Sequence, residues 1–349
     1  MSLAYQGVGW NAQKKKYDSW ILLFVLSYLG AFSGVTLWAQ PFITIETLTI
    51  RAFGSLSFIL LSIILVIGPL ARLDPRFLPV LYNRRHLGVA TFLVAAVHGT
   101  VALVQFHALG ELNPIVSVFV SDGTFSERGT LYFQPFGALA LVILFLMAST
   151  SHDFWLANLG APVWKFLHMS VYVAYAALVA HVAFGALQGE GQAYLLAMLA
   201  GAAYSVFILH LWAGVRERSN DRPPPLVEQE GYIRVVRADQ IEDGRGKAVS
   251  IGPERVAVFR NGNTISCVSN VCRHQMGPIG EGKIIDGCIT CPWHGYQYDP
   301  VTGCSPPPFT ERVETYDVML REGFVWVNPI ANELGSSARV AVIPPGDAE

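Results

Sequence analysis

Long apolar stretches fill the first 215 residues, separated by short polar breaks, and the pattern then changes to short alternating runs. A bilayer core of about 30 Å needs roughly 20 apolar residues in helical form. Six windows meet that length: Ser19–Trp38, Ala52–Leu73, Leu87–Leu109, Leu131–Thr150, Val163–Leu187 and Ala193–Val215. Trp20, Trp38, Trp164 and Trp212 stand at or near window ends, where amphipathic rings favour the membrane interface. Lys14–Lys16 precede the first window as in a secretory signal, but its apolar core is too long and Trp-Ala-Gln-Pro lacks a small-x-small cleavage pattern. It reads as a retained helix. The pattern predicts a tail over 1–17 and an all-α six-helix membrane bundle over 18–215.

Arg216–Leu226 (RERSNDRPPPL) combines charge with three prolines and predicts a short stiff linker over 216–230. Beyond it come Tyr232–Val236, then Val256–Arg260 and Thr264–Val268 around Asn261-Gly262, a hairpin signal. Further short runs lie at Lys283–Ile285 and Phe324–Val327. An all-β domain is expected over 231–330, with a tail over 331–349.

Composition sharpens the division. The chain is 52% hydrophobic and 14% charged, with a net charge of −2, against about 25% charged in ordinary soluble domains. Residues 1–215 hold 18 Asp, Glu, Lys and Arg, and 216–349 hold 32. The balance excludes a nucleic-acid binder, which would need a basic stripe. With the N-terminus inside, inner segments carry eleven basic residues and outer ones only Arg51 and Arg128. This bias predicts an inner-membrane (cell-membrane) protein with both termini in the cytosol.

Ionisable groups within spans are costly and point to function. His98 falls mid-span in the third window, and His168 and His181 share the fifth. His86 and His98 are 12 residues apart, about 18 Å of helix; His168 and His181 are 13 apart, about 20 Å. Both helices run in the same direction, so two ladders of similar pitch can clamp two stacked haems, one near each membrane face, by paired imidazoles; the expected count is one haem or two. The angles fit less well: such separations turn side chains some 120–140° around a helix, so the helices must bend or the haems diverge. A competing reading is polar packing between helices. His107, His152 and His210 read as interfacial.

These residues resemble a known family. Arg84-Arg85-His86-Leu87-Gly88, His98, Ser149-Thr150-Ser151, Leu159-Gly160, Trp164, Leu167-His168, Val171-Tyr172 and His181 are similar to the ferric-reductase-like transmembrane domain, with particular likeness to haem-binding membrane subunits that feed periplasmic methionine-sulfoxide reductases. The resemblance spans about 50–215 and implies b-type haem held at His98, His168 and His181. Two-haem relatives carry a histidine where this chain has Arg84, and His86 lies two positions away.

In the second half, Cys272-Arg273-His274 precedes Cys291-Pro292-Trp293-His294-Gly295 by 16 residues. Each segment offers one thiolate and one imidazole. Zinc accepts such a set, but finger spacing pairs like ligands together. Mixed pairs suit a Rieske [2Fe–2S] cluster, with two cysteines on one iron and two histidines on the other. That assigns Cys272 and Cys291 to the first iron, and His274 and His294 to the second. The segment over 231–329 resembles the Rieske family through these loops, Gly277-Pro278 and the Tyr298–Gly303 turn. The resemblance implies that Pro306–Pro308 approach the cluster. It also implies a low-potential ferredoxin or oxygenase subtype, because Gly277 and Trp293 stand where high-potential members carry a disulfide. Cys267, Cys288 and Cys304 read as small buried hydrophobes.

Together the halves read as an electron-transfer component of oxidoreductase type. Electrons would pass from a cytosolic donor through the Rieske cluster to membrane haem b, and on to an acceptor at the outer face. Direction rests on the family likeness. No G-x-G-x-x-G follows a strand, so an NAD(P)H-dependent reductase or a ferredoxin is the expected donor. With about 20 residues after the Rieske segment, no oxygenase catalytic domain is expected here. A quinone-linked oxidoreductase and a non-enzymatic redox sensor stay open. The acceptor is periplasmic or a quinone, and the outer loop Gly110–Gly129 is long enough to meet a partner.

Overall fold

The computed structural model describes residues 12–81, 84–108, 110–120, 133–151, 159, 161–185, 193–220, 227–252, 254–274, 276–293, 295–307 and 309–344. Packing divides the chain into two compact units, one holding Trp10–Leu70 and Asn83–Leu211, the other Ala71–Tyr82 and Trp212–Glu349.

The apolar stretches form helices because a chain in lipid must satisfy every backbone N–H and C=O internally. They are α1 (Ala12–Ala39), α2 (Ile45–Leu73), the one-turn α3 (Leu78–Leu81), α4 (Arg84–His107), the one-turn α5 (Pro114–Ser117), α6 (Gln134–Ser149), α7 (Ala161–Met169), α8 (Val171–Phe184) and α9 (Ala193–Asn220). Among the described residues five segments are long and apolar enough to cross a bilayer: Lys15–Ala39, Ile45–Leu73, Arg84–His107, Pro162–Phe184 and Leu195–Arg218. Gln134–Ser149 is a shorter apolar helix. A helix therefore lies on each of the six windows, but the fifth is divided. Ser170 separates α7 from α8, its N–H bonding to Leu167 O (3.2 Å) while its carbonyl accepts from Ala174 (2.9 Å).

Small residues set the closest helix contact. Ala140 on α6 meets Ala174 and Ala177 on α8, all buried, which lets the backbones approach as membrane helices commonly do. Leu61 and Leu65 (α2), Ala95 (α4), Leu144 (α6), Tyr175 (α8) and Val206 (α9) form the larger core. Residues three and four apart share a helix face. Ala174, Ala177 and His181 thus line one face of α8, and Gly137, Ala140 and Leu144 one face of α6.

The second unit is mostly β. Its strands are β1 (Glu228–Gln229), β2 (Tyr232–Arg237), β3 (Gly246–Ile251), β4 (Glu254–Asn261), β5 (Thr264–Ser269), β6 (Lys283–Ile285), β7 (Cys288–Thr290), β8 (Gln297–Tyr298), β9 (Thr315–Tyr316), β10 (Val318–Arg321), β11 (Phe324–Val327) and β12 (Ala341–Val342). They form sheets ordered β1-β2-β11-β10, β12-β5-β4-β3 with β9 beside β5, and β6-β7-β8. The β4–β5 hairpin turns one residue later than the Asn-Gly signal suggests. Asn261 pairs with Thr264, and Gly262 takes the left-handed φ of 59°. Glycine at the first central position with Asn263 following is the type II′ arrangement, whose twist suits a hairpin. One core, including Val256, Val258, Ile265 and Cys267, lies between the two larger sheets; a second, with Phe259, Ile279, Ile289 and Tyr298, lies beneath the small sheet.

Candidate metal centres

Two loops extend from the β unit with matching backbones. Cys272 N–H bonds to Gly277 O (2.9 Å) and Cys272 O accepts from Met276 (2.7 Å). In the second loop Cys291 N–H bonds to Tyr296 O (2.8 Å) and Cys291 O accepts from Gly295 (3.0 Å). Each loop closes through a left-handed residue at the same place, Met276 (φ 56°) and Gly295 (φ 72°). Glycine adopts that conformation freely and methionine does not. A Cβ on Gly277 would meet the Trp293 ring at 3.0 Å and Cys291 Sγ at 3.1 Å, so the loops lie against each other there.

Cys272 and Cys291 are each 1% exposed. Tyr298, from β8, places its hydroxyl 3.3 Å from Cys272 Sγ and accepts the Arg273 N–H at 3.0 Å. Because the phenolic oxygen receives that N–H, its own proton is free to point at the sulfur. Burial, and then negative charge on Cys272, push the Tyr298 phenol far above its ordinary value. His274 stacks on Tyr296 (4.7 Å, 14°), which touches Phe309 (5.0 Å) and donates to Glu311. His294 lies outside the described residues. Among the described ones no group of three His, Cys, Asp or Glu gathers as a metal site. The donor chemistry nevertheless fits a cluster: two buried thiols on mirrored loops, an imidazole in the first, and a hydroxyl aimed at a sulfur.

In the helical unit, His98 on α4 and His181 on α8 face each other with ring centres 6.2 Å apart and planes at 86°. Two imidazoles on one metal, with bonds of about 2 Å, have ring centres roughly 6 Å apart. His98 Nδ1 bonds to Ile50 O at 2.9 Å, and His181 Nδ1 to Phe133 O at 3.1 Å. A carbonyl only accepts, so each Nδ1 carries the proton and each Nε2 presents a lone pair. Axial ligands are oriented in this way by a carbonyl on the other nitrogen. The pair fits bis-imidazole haem.

The remaining histidines differ. His168 Nδ1 donates to Trp164 O (3.0 Å), its ring stacks on Trp164 at 3.6 Å, and its buried Nε2 has no hydrogen bond among the described residues. His86 Nδ1 pairs with Asp18 of α1 at 2.7 Å. His107 bonds Ser117 (2.7 Å), and His210 Nε2 accepts from Tyr172 (3.0 Å); His152 lies outside the described residues. Cys267 and Cys288 are buried and Cys304 partly so. Sequence reasoning missed Asp18, Trp164 as a stacking partner, and the glycines beside His98 and His181. Only the glycines left a trace in sequence, as small residues within apolar helices.

A chain that joins long apolar helices to a cysteine-bearing β domain has the make-up of a membrane redox protein. Comparison with known proteins agrees. Residues 231–317 match the Rieske [2Fe-2S] domain, and 53–179 match the ferric reductase like transmembrane component. The anthranilate 1,2-dioxygenase ferredoxin subunit of Burkholderia cepacia is 33% identical over 91 residues, covering 26% of this chain and 84% of that protein. Cholesterol 7-desaturase nvd 1 of Ciona intestinalis is 33% identical over 103 residues, covering 29% of this chain but only 22% of that protein. The ferredoxin of carbazole 1,9a-dioxygenase from Nocardioides aromaticivorans IC177 is a structural neighbour at 28% identity and TM-score 0.28, covering 29% of this chain and all of that one. The chain belongs to the Rieske [2Fe–2S] family through its C-terminal domain and joins it to a ferric-reductase-like transmembrane domain. It is a membrane protein with an electron-transfer or redox role.

Proposed function

We propose that this chain is a transmembrane electron conduit built on a six-helix bundle, taking electrons from a cytosolic donor at its Rieske domain and delivering them to an acceptor at the outer face. When bound, a [2Fe–2S] cluster at Cys272, His274, Cys291 and His294 and a haem b at His98 and His181 supply one-electron carriers. The protein's part is to hold these ligands and tune them. A cluster-bound Cys272 thiolate carries no proton, so the Tyr298 hydroxyl 3.3 Å from its Sγ would be the donor. Ile50 and Phe133 hold the protons of His98 and His181 on Nδ1, which leaves the Nε2 lone pairs available to a metal.

The observation that carries the haem reading is the His98–His181 pair, two imidazoles 6.2 Å apart with matched carbonyl partners. His168 is the next candidate ligand, for a second haem, because its Nε2 is buried and unbonded among the described residues. His86 is already engaged by Asp18.

Optical spectra and metal analysis of purified His98→Ala and His181→Ala variants test this. Both should retain the iron–sulfur signal and bind haem at least about tenfold more weakly. His86→Ala should keep the His98–His181 haem. Loss in His168→Ala of only part of the haem would indicate two haems. Full haem in both the His98 and His181 variants would reject the site.

The chain spans about a fifth of the length of the desaturase it matches (22%), so that relative's chemistry is not carried over. The donor we favour is a separate NAD(P)H-dependent reductase or ferredoxin, and the acceptor a periplasmic protein or a quinone.

A further inference from the structure

The two haem-facing histidines rest in slots of the same construction. On α2, the carbonyl of Ile50 accepts from His98, and the residue four further on is Gly54. At the start of α6, the carbonyl of Phe133 accepts from His181, and the residue four further on is Gly137. In a helix, positions i and i+4 lie on one face about one turn apart. A ring docked on the carbonyl of residue i therefore lies over the side-chain position of residue i+4.

Glycine leaves that position open. A Cβ built on Gly54 would stand 2.8 Å from His98 Nδ1 and 2.9 Å from its Cε1. On Gly137 it would stand 2.6 Å from both Nδ1 and Cε1 of His181. Carbon contacts are comfortable at about 3.5–4.0 Å, so either ring would have to leave its carbonyl. A packing glycine looks different. Gly99, next to His98, would put its Cβ 2.7 Å from Leu141 Cδ2, against a flexible side chain and no ring.

We propose that Gly54 and Gly137 are positioning residues for the axial histidines. With the carbonyls of Ile50 and Phe133 they fix which nitrogen carries the proton, the plane of each ring and the crossed orientation of the pair. The proposal rests on the haem reading of His98 and His181. Its physical content is that a hydrogen bond from Nδ1–H enriches the ligating nitrogen and locks its direction. Losing that bond changes the ligand field even where the histidine remains.

The test uses the full chain in detergent. Gly54→Ala and Gly137→Ala should shift the low-spin ferric haem g-values and midpoint potential, or lower haem content, while the Rieske signal stays. Gly99→Ala, and Gly201→Ala, whose Cβ would meet no described residue outside its own stretch of helix within 4 Å, should leave the g-values at wild type. A second arm removes any dependence on how the crowded variants fold. His98→Gly vacates the ring, and added imidazole should restore the low-spin spectrum. In His98→Gly/Gly54→Ala the new methyl meets no ring and the protein is relieved, but imidazole should rescue at least about tenfold less well. Equal rescue in both backgrounds, or g-value shifts in Gly99→Ala matching those in the slot variants, would overturn the proposal. Absence of haem from the wild-type protein would instead fail the underlying reading, and the slots with it.

Discussion

Tyr298 shows how one hydroxyl tunes a metal centre. Its oxygen takes the Arg273 N–H, which leaves its proton for Cys272 Sγ at 3.3 Å. A hydrogen bond to a ligand sulfur favours the more negative, reduced cluster. A bond worth about 1 kcal/mol corresponds to roughly 40 mV for one electron. Tyr298→Phe should therefore lower the cluster midpoint by a few tens of millivolts, read by redox titration with EPR; an unchanged midpoint would show that the hydroxyl points elsewhere. Cys272, His274 and Cys291, the proposed cluster ligands, were legible as candidates because ligands carried on one loop sit close in sequence. Tyr298 was not, because it is 26 residues from Cys272 and reaches it only through β8. Asp18 lies 68 residues from His86 and was hidden for the same reason.

At the scale of elements, turn chemistry fixes the β domain. Gly303 closes the turn after Asp299 with φ 67°, and its N–H bonds to Asp299 O at 2.9 Å. A Cβ there would run into the carbonyl of Val313, which itself donates its N–H to Gly303 O at 3.0 Å. Gly303→Ala combines backbone strain with this clash and should cost about 1–3 kcal/mol. In a domain of this size that lowers the unfolding midpoint by several degrees, measurable as earlier thermal loss of the cluster's circular dichroism in the full chain. A wild-type midpoint would mean that the turn relaxes. Phe324–Val327 was readable as a short apolar run because three of its four residues are buried, and Lys283–Ile285 because its residues are half-buried. The break at Ser170 was not, since the fifth window reads as one membrane-length stretch and the break shows only in local hydrogen bonding.

At the scale of the molecule, the uneven charge along the chain separates a lipid-facing part from a water-facing part. Large apolar side chains such as Leu22, Leu23, Phe145, Phe166 and Leu211 are exposed in the helical segments, as lipid contact requires and water does not favour. The proposed orientation follows from eleven basic residues on one side. A fluorescent protein fused after residue 349 should mature in the cytosol, and alkaline phosphatase at the same place should stay inactive; active phosphatase would invert the topology. The central claim is that one chain holds both an iron–sulfur cluster and a bis-histidine haem. Low-temperature EPR of the purified full-length protein tests it most directly. The expected result is a reduced Rieske signal together with an oxidised low-spin haem signal whose His98–His181 component is lost in His98→Ala and His181→Ala while the Rieske signal persists. A low-spin haem signal of wild-type shape and intensity in both variants, or a wild-type protein with none, would contradict it.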